Sequence, residues 1–189
     1  MQSGWSLPLA PARSPFALTR ARRYGIDGEW STITLRLGNP VQTVYLLAGT
    51  SSAITTTVDS IFCNDRNKTQ DSCEMRGRAF NPANSTTWRG IGQYELKLRP
   101  ELLDVNMQNS TWDFDYGSFG RDSVKIGNED GRVLQMDNQT IAVVNDTTQY
   151  LGSLGLSLKS RSFLADEQYP SLVSTLFDTG TIPSKYNTC

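Results

Sequence analysis

Between Glu29 and Gly38 the chain alternates: Ile33, Leu35 and Leu37 are apolar, Thr34 and Arg36 are polar, and Gly38-Asn39-Pro40 ends the run. A period of two sends successive side chains to opposite faces of an extended backbone, so this run predicts a strand with one face on a core. The same reading applies to Gly92-Gln93-Tyr94-Glu95-Leu96-Lys97-Leu98. Helical spacing is confined to a short stretch, Pro170-Ser171-Leu172-Val173-Ser174-Thr175-Leu176-Phe177. At 189 residues the chain has the length of one domain able to bury a core. Pro8, Pro11 and Pro15, followed by Arg20, Arg22 and Arg23, favour an extended, polyproline-like arm over residues 1–23, leaving 24–189 as the folded unit.

Composition removes several chemistries. The chain has no His, which excludes Ser-His and Cys-His dyads and most zinc sites, so any catalysis would rest on carboxylates. Its 18 basic and 19 acidic residues leave a formal charge of −1, too little for the single-sign field that a nucleic acid or an anionic membrane selects. No stretch approaches a transmembrane span. Neither a metal site nor a cofactor site is predicted.

The segment after Leu35-Arg36-Leu37-Gly38-Asn39-Pro40-Val41-Gln42 reads Tyr45-Leu46-Leu47-Ala48-Gly49-Thr50-Ser51-Ser52-Ala53-Ile54. It resembles the opening of a pepsin-like aspartic protease, in which a strand, a Gly-x-Pro-x-Gln turn and a second strand deliver an Asp-Thr-Gly-Ser-Ser catalytic loop. Further landmarks follow in the family's order: Phe80-Asn81-Pro82-Ala83-Asn84-Ser85-Thr86-Thr87-Trp88, then Phe119–Gly127, Leu151-Gly152-Ser153-Leu154-Gly155-Leu156, and the short helix at 170–177. The resemblance covers about Trp30 to Ile182 and implies an all-β, pepsin-like N-terminal lobe with short helices over 24–189. Registering Ser51 and Ser52 on the family's Ser-Ser places Ala48 at the catalytic aspartate, with Gly49 and Thr50 in reversed order. A methyl group cannot share a proton with a second carboxylate or activate water. Leu151 likewise stands where the family has an aspartate, and Trp112-Asp113-Phe114-Asp115-Tyr116-Gly117-Ser118 replaces the Tyr-Gly-Thr-Gly flap. Asp113 and Asp115 alternate along that segment and would share a face, either as an acid pair or as solvated residues.

One protease-like signature is intact. Leu176-Phe177-Asp178-Thr179-Gly180-Thr181 could supply a carboxylate, Asp178, to a dimer in which each half gives one aspartate. Only eight residues follow Thr181, however, and a catalytic loop needs a following strand and a sheet to hold it. The competing reading is a helix C-terminus with Gly180 as a left-handed cap and Pro183 as a stop.

Five acceptors for N-glycosylation, at Asn67, Asn84, Asn109, Asn138 and Asn145, fall in segments that read as loops. Together they predict a secreted or cell-surface chain. Cys63 and Cys73 bracket a polar loop that resembles a small disulfide loop of the family, and a disulfide there agrees with the acceptors; two reduced thiols are the alternative. Cys189 is left over, as a free thiol, a bridge to a second chain that would give a dimer, or the partner of a cysteine elsewhere. The combination resembles fungal proteins with an aspartic-protease-like lobe and a degenerate motif. It implies a non-catalytic pseudoprotease lobe that binds a protein partner or a second lobe. An endopeptidase assembled through Asp178 and a secreted inhibitor or effector of another enzyme are the alternatives. Ile54, Ile61 and Phe62, near the remnant motif, are read either as a contact patch or as core.

Overall fold

A computed structural model describes residues 18–23, 29–50, 52–62, 73, 77–95, 116–127, 133–144, 151–158, 161–164 and 167–185. In chain order the strands are β1 (Leu18–Arg23), β2 (Glu29–Leu37), β3 (Gln42–Gly49), β4 (Thr55–Val58), β5 (Arg89–Glu95), β6 (Tyr116–Gly127), β7 (Val133–Val144), β8 (Ser153–Gly155), β9 (Arg161–Leu164) and β10 (Glu167–Tyr169). One α-helix, α1 (Leu172–Asp178), and two single-turn 3-10 segments, Ser60–Phe62 and Pro82–Asn84, complete the described elements.

The main sheet runs β1-β2-β3-β8-β4-β7-β6-β5, and β2 also pairs with β6, Leu35 opposite Ile126. That extra pairing closes six strands, β2, β3, β8, β4, β7 and β6, into a barrel. The all-β expectation holds in this form. Closure leaves those strands without an open edge along the closed seam, and β1 and β5 extend the sheet beyond it. The alternation in β2 does what its period requires: Ile33, Leu35 and Leu37 are buried, and Arg36 is exposed. They join Val44, Leu46, Phe80, Val124, Ile126, Ile141, Val143 and Leu154 in the barrel core, which α1 caps through Leu172 and Leu176. A second cluster lies on the other face of the sheet, where Tyr169 packs with Phe119, Ile54, Ala142 and Val144.

Consecutive strands β3 and β4 are not neighbours. The gap between them is filled from one end by β8, parallel to β3 and antiparallel to β4. Residues 77–81 fill it from the other end. Tyr45 N–H donates to the Gly77 carbonyl (2.7 Å), and Phe80 N–H donates to the Val58 carbonyl (2.9 Å). The Gln42 side chain exchanges two bonds with the Asn81 backbone, accepting from its N–H at 2.8 Å and donating to its carbonyl at 2.9 Å. These approaches need glycine. A Cβ on Gly77, whose φ is +71°, would stand 2.3 Å from the Tyr45 carbonyl oxygen, and one on Gly152 2.4 Å from that of Thr56.

Residues 18–23, the end of the extended arm, form β1, antiparallel to β2 with Leu18 opposite Ile33; β2 pairs with β6 only over Leu35–Leu37, and β1 satisfies the backbone groups that would otherwise be left at its N-terminal half. Asn138 does not lie in a loop; it sits inside β7. Residues 137 and 138 together oppose Ser123, between the pairs Asp122–Gln139 and Val124–Met136, and Asn138 takes φ +62°. This is a β-bulge, and Asn tolerates its left-handed residue better than most side chains, so a polar run that reads as a loop is accommodated within a strand.

Candidate functional site

The remnant motif lies at the loop where β3 turns toward β4. Ala48 is exposed at the end of β3 opposite Leu154, and Gly49 pairs with Gly155. The Ser52 hydroxyl closes a local turn, accepting from Ile54 N–H at 3.2 Å and donating to the Ile54 carbonyl at 3.0 Å. Residues after β8 run alongside: Leu156 N–H donates to the Gly49 carbonyl (2.8 Å) and Ser157 N–H to that of Ser52 (3.0 Å). Thr56 and Thr55 hydroxyls accept from Ser153 N–H (3.0 Å) and Gly155 N–H (3.3 Å), tying β8 to the start of β4. The loop is therefore held on both sides by backbone bonds and carries Ala48, Gly49, Thr50, Ser52, Ala53 and Ile54, none of which titrates. It can present hydroxyls and a methyl group to a ligand. None of these described side chains is itself a general acid or base near neutral pH. Ser51 lies outside the described residues.

Asp178 is in a different setting. It is the last residue of α1, Thr179 is the cap, and Gly180 has φ +70°. Thr181 N–H donates to the Leu176 carbonyl and Gly180 N–H to that of Phe177, both at 2.9 Å, the paired bonds of a Schellman motif. The Asp178 side chain is 61% exposed and ion-paired to Lys185 at 3.4 Å, and the Lys185 ammonium also lies over the Phe177 ring. Ala48 lies at a strand end and Asp178 at a helix end, each in its own local hydrogen-bonded setting.

A carboxylate that sequence reasoning placed only in a strand proves to be the most enclosed charged group described. Asp122 is 1% exposed. Its Oδ1 accepts from the Thr87 hydroxyl and from Ser123 N–H (2.7 Å), while Oδ2 is buried with no hydrogen-bond partner. Thr87 Oγ1 lies 3.1 Å from Ser85 Oγ, which accepts from Asn39 N–H (3.2 Å). Asn39 in turn accepts at its carbonyl from Thr86 N–H (2.7 Å) and the Thr86 hydroxyl (3.0 Å). The network clamps turn 81–88 onto the β2–β3 turn. The run of three hydroxyl residues, Ser85-Thr86-Thr87, was the available signal, but nothing local names Asp122 as the partner.

The remaining predicted residues divide plainly. Asn84 and Asn138 are exposed. Asn67, Asn109, Asn145, Asp113, Asp115, Cys63 and Cys189 lie outside the described residues, whereas Cys73 is half-buried and its carbonyl accepts from Arg78 N–H at 2.7 Å. Ile54 is 4% exposed and belongs to the second core cluster, so the contact-patch reading fails for it: the Ser52 turn folds it inward. Ile61 is 71% exposed. Among the described residues no group of three or more His, Cys, Asp or Glu could hold a metal, and no helix is long and apolar enough to cross a membrane. Comparison with protein families matched no family model, and comparison with curated proteins gave no match.

Proposed function

We propose that this chain is a pepsin-like N-terminal lobe without protease chemistry, secreted or displayed at the cell surface, that works by binding a macromolecular partner. The observation that carries the reading is Ala48: at the end of β3, where the sequence resemblance registers the catalytic carboxylate, the side chain is a methyl group in a loop with no titratable residue described. The hydrogen bonds from Leu156 and Ser157 to that loop support a rigid binding surface rather than a failed fold. The capped helix end at Asp178 supports the same reading, since its neighbours Thr179 and Gly180 are engaged in terminating α1.

Incubation of the purified chain with an unfolded protein substrate at acid pH is expected to give no cleavage. Turnover that disappears in Asp178→Ala would replace the reading with a dimeric endopeptidase. For binding, Thr50→Asn creates an Asn-Ser-Ser glycan acceptor on an exposed position of the loop. Partner recovery from native extracellular fluid should fall when that acceptor is occupied. Equal recovery would move the binding surface away from the loop.

A further inference from the structure

Asn138 is exposed, yet the rest of its acceptor motif is not. Gln139 and Thr140 are each 3% exposed. The Gln139 amide donates to the Pro170 carbonyl (3.3 Å) and its oxygen accepts from the Thr175 hydroxyl of α1 (2.9 Å). Thr140 is fixed opposite Arg121, and Ile141, the next residue, is also fixed opposite Thr55 on the far side of β7. N-glycosylation requires the transferring enzyme to engage the hydroxyl two residues beyond the asparagine as well as the asparagine itself. In the closed barrel that hydroxyl-bearing residue is a buried strand position.

We propose that Asn138 receives its glycan only before the barrel closes, and that folding ends the opportunity. This rests on the secretory reading above. The Asn138 amide nitrogen attacks the anomeric carbon of a lipid-pyrophosphate-linked oligosaccharide. The carbon–oxygen bond to pyrophosphate breaks, the lipid pyrophosphate leaves with the bonding pair, and the amide gives one proton to a base of the enzyme. Afterwards the outward-facing Asn138, at the left-handed position of the bulge, keeps the glycan in solvent while Gln139 and Thr140 pack inward. The bulge thus separates the modified side chain from its recognition partner.

The test uses the 189-residue chain made without glycans in bacteria, a purified oligosaccharyltransferase and its lipid-linked donor, with an acceptor peptide in every tube as the activity control. Two substrates are compared: folded wild type, and Gly155→Val, in which a Cβ would meet the Ala53 and Ile54 backbone at 2.7 Å and hold the barrel open. Circular dichroism confirms the open state, and Gly152→Val is added if the single variant still folds. Site occupancy at Asn138, read by mass spectrometry, should be at least tenfold lower in the folded chain. Equal rates on both substrates overturn the proposal, and so does an open chain that remains bare at Asn138. Whether the cell glycosylates the protein is answered separately: bare asparagines at every acceptor in material from its native source would sink the secretory reading, not the dependence on folding.

Discussion

At Asp122 a buried carboxylate depends on two donors, one of them a threonine hydroxyl. Thr87→Val leaves Oδ1 with only Ser123 N–H and is expected to destabilise the chain by about 1–3 kcal/mol, read as a lower urea midpoint with an unchanged slope. In Thr87→Val/Asp122→Ala the two losses should not add, since each single variant already breaks the same bond. Glycines give a sharper contrast. Gly152→Ala sets a Cβ 2.4 Å from a backbone oxygen and should cost roughly 1–3 kcal/mol. At Gly127, where nothing lies within 4 Å of the added carbon, the same change should be neutral or stabilising by up to about 1 kcal/mol. Destabilisation at Gly127 equal to that at Gly152 would mean that strand propensity, not close approach, governs both.

Among the elements, α1 shows how much of the chain could be read in advance. Its apolar spacing announced the helix, and Gly180 with Pro183 marked one of the two readings of its end, while the cap at Ser171 comes from the structure. Ser171 Oγ accepts from Ser174 N–H at 3.1 Å, so Ser171→Ala is expected to cost about 1 kcal/mol by thermal melt. The exposed Asp178–Lys185 pair should be worth less than about 0.5 kcal/mol, so Lys185→Ala should leave the melt almost unchanged. Strand β2 was legible for the same reason, because one face is buried and the other is not. β4 was not: Thr55, Thr56, Thr57 and Val58 are all buried, and a strand enclosed on both faces leaves no alternation to read. β8, three residues long, is too short for any period. The motif loop itself was visible as a departure from a pattern, whereas the clamp on Asp122 joins residues that only the closed sheet brings together.

At the scale of the molecule, two short segments, β8 and residues 77–81, complete the barrel between β3 and β4. Gln42→Ala removes both side-chain bonds to Asn81 and should loosen residues 77–81 before the rest. Hydrogen exchange would show this as loss of protection at the Phe80 amide, which donates to Val58, with the Ile126 amide unchanged. Equal loss at both amides would mean that the barrel opens only as a whole.

Barrel closure also carries a kinetic consequence. The bonds from Ser153 N–H to Thr56 and from Gly155 N–H to Thr55 join residues 97 and 100 positions apart, so neither can form until most of the chain has left the ribosome. Contacts of such separation must meet their loop-closure cost before they return any stabilisation, which places folding on a scale of roughly milliseconds to seconds. At a synthesis rate of about 5–20 residues per second, β3 and β4 each wait several seconds for β8, the strand that joins them. During that wait, the Leu46–Leu47 end of β3 faces an empty β8 position with its backbone unpaired on that side, an apolar edge that a chaperone would have to shield.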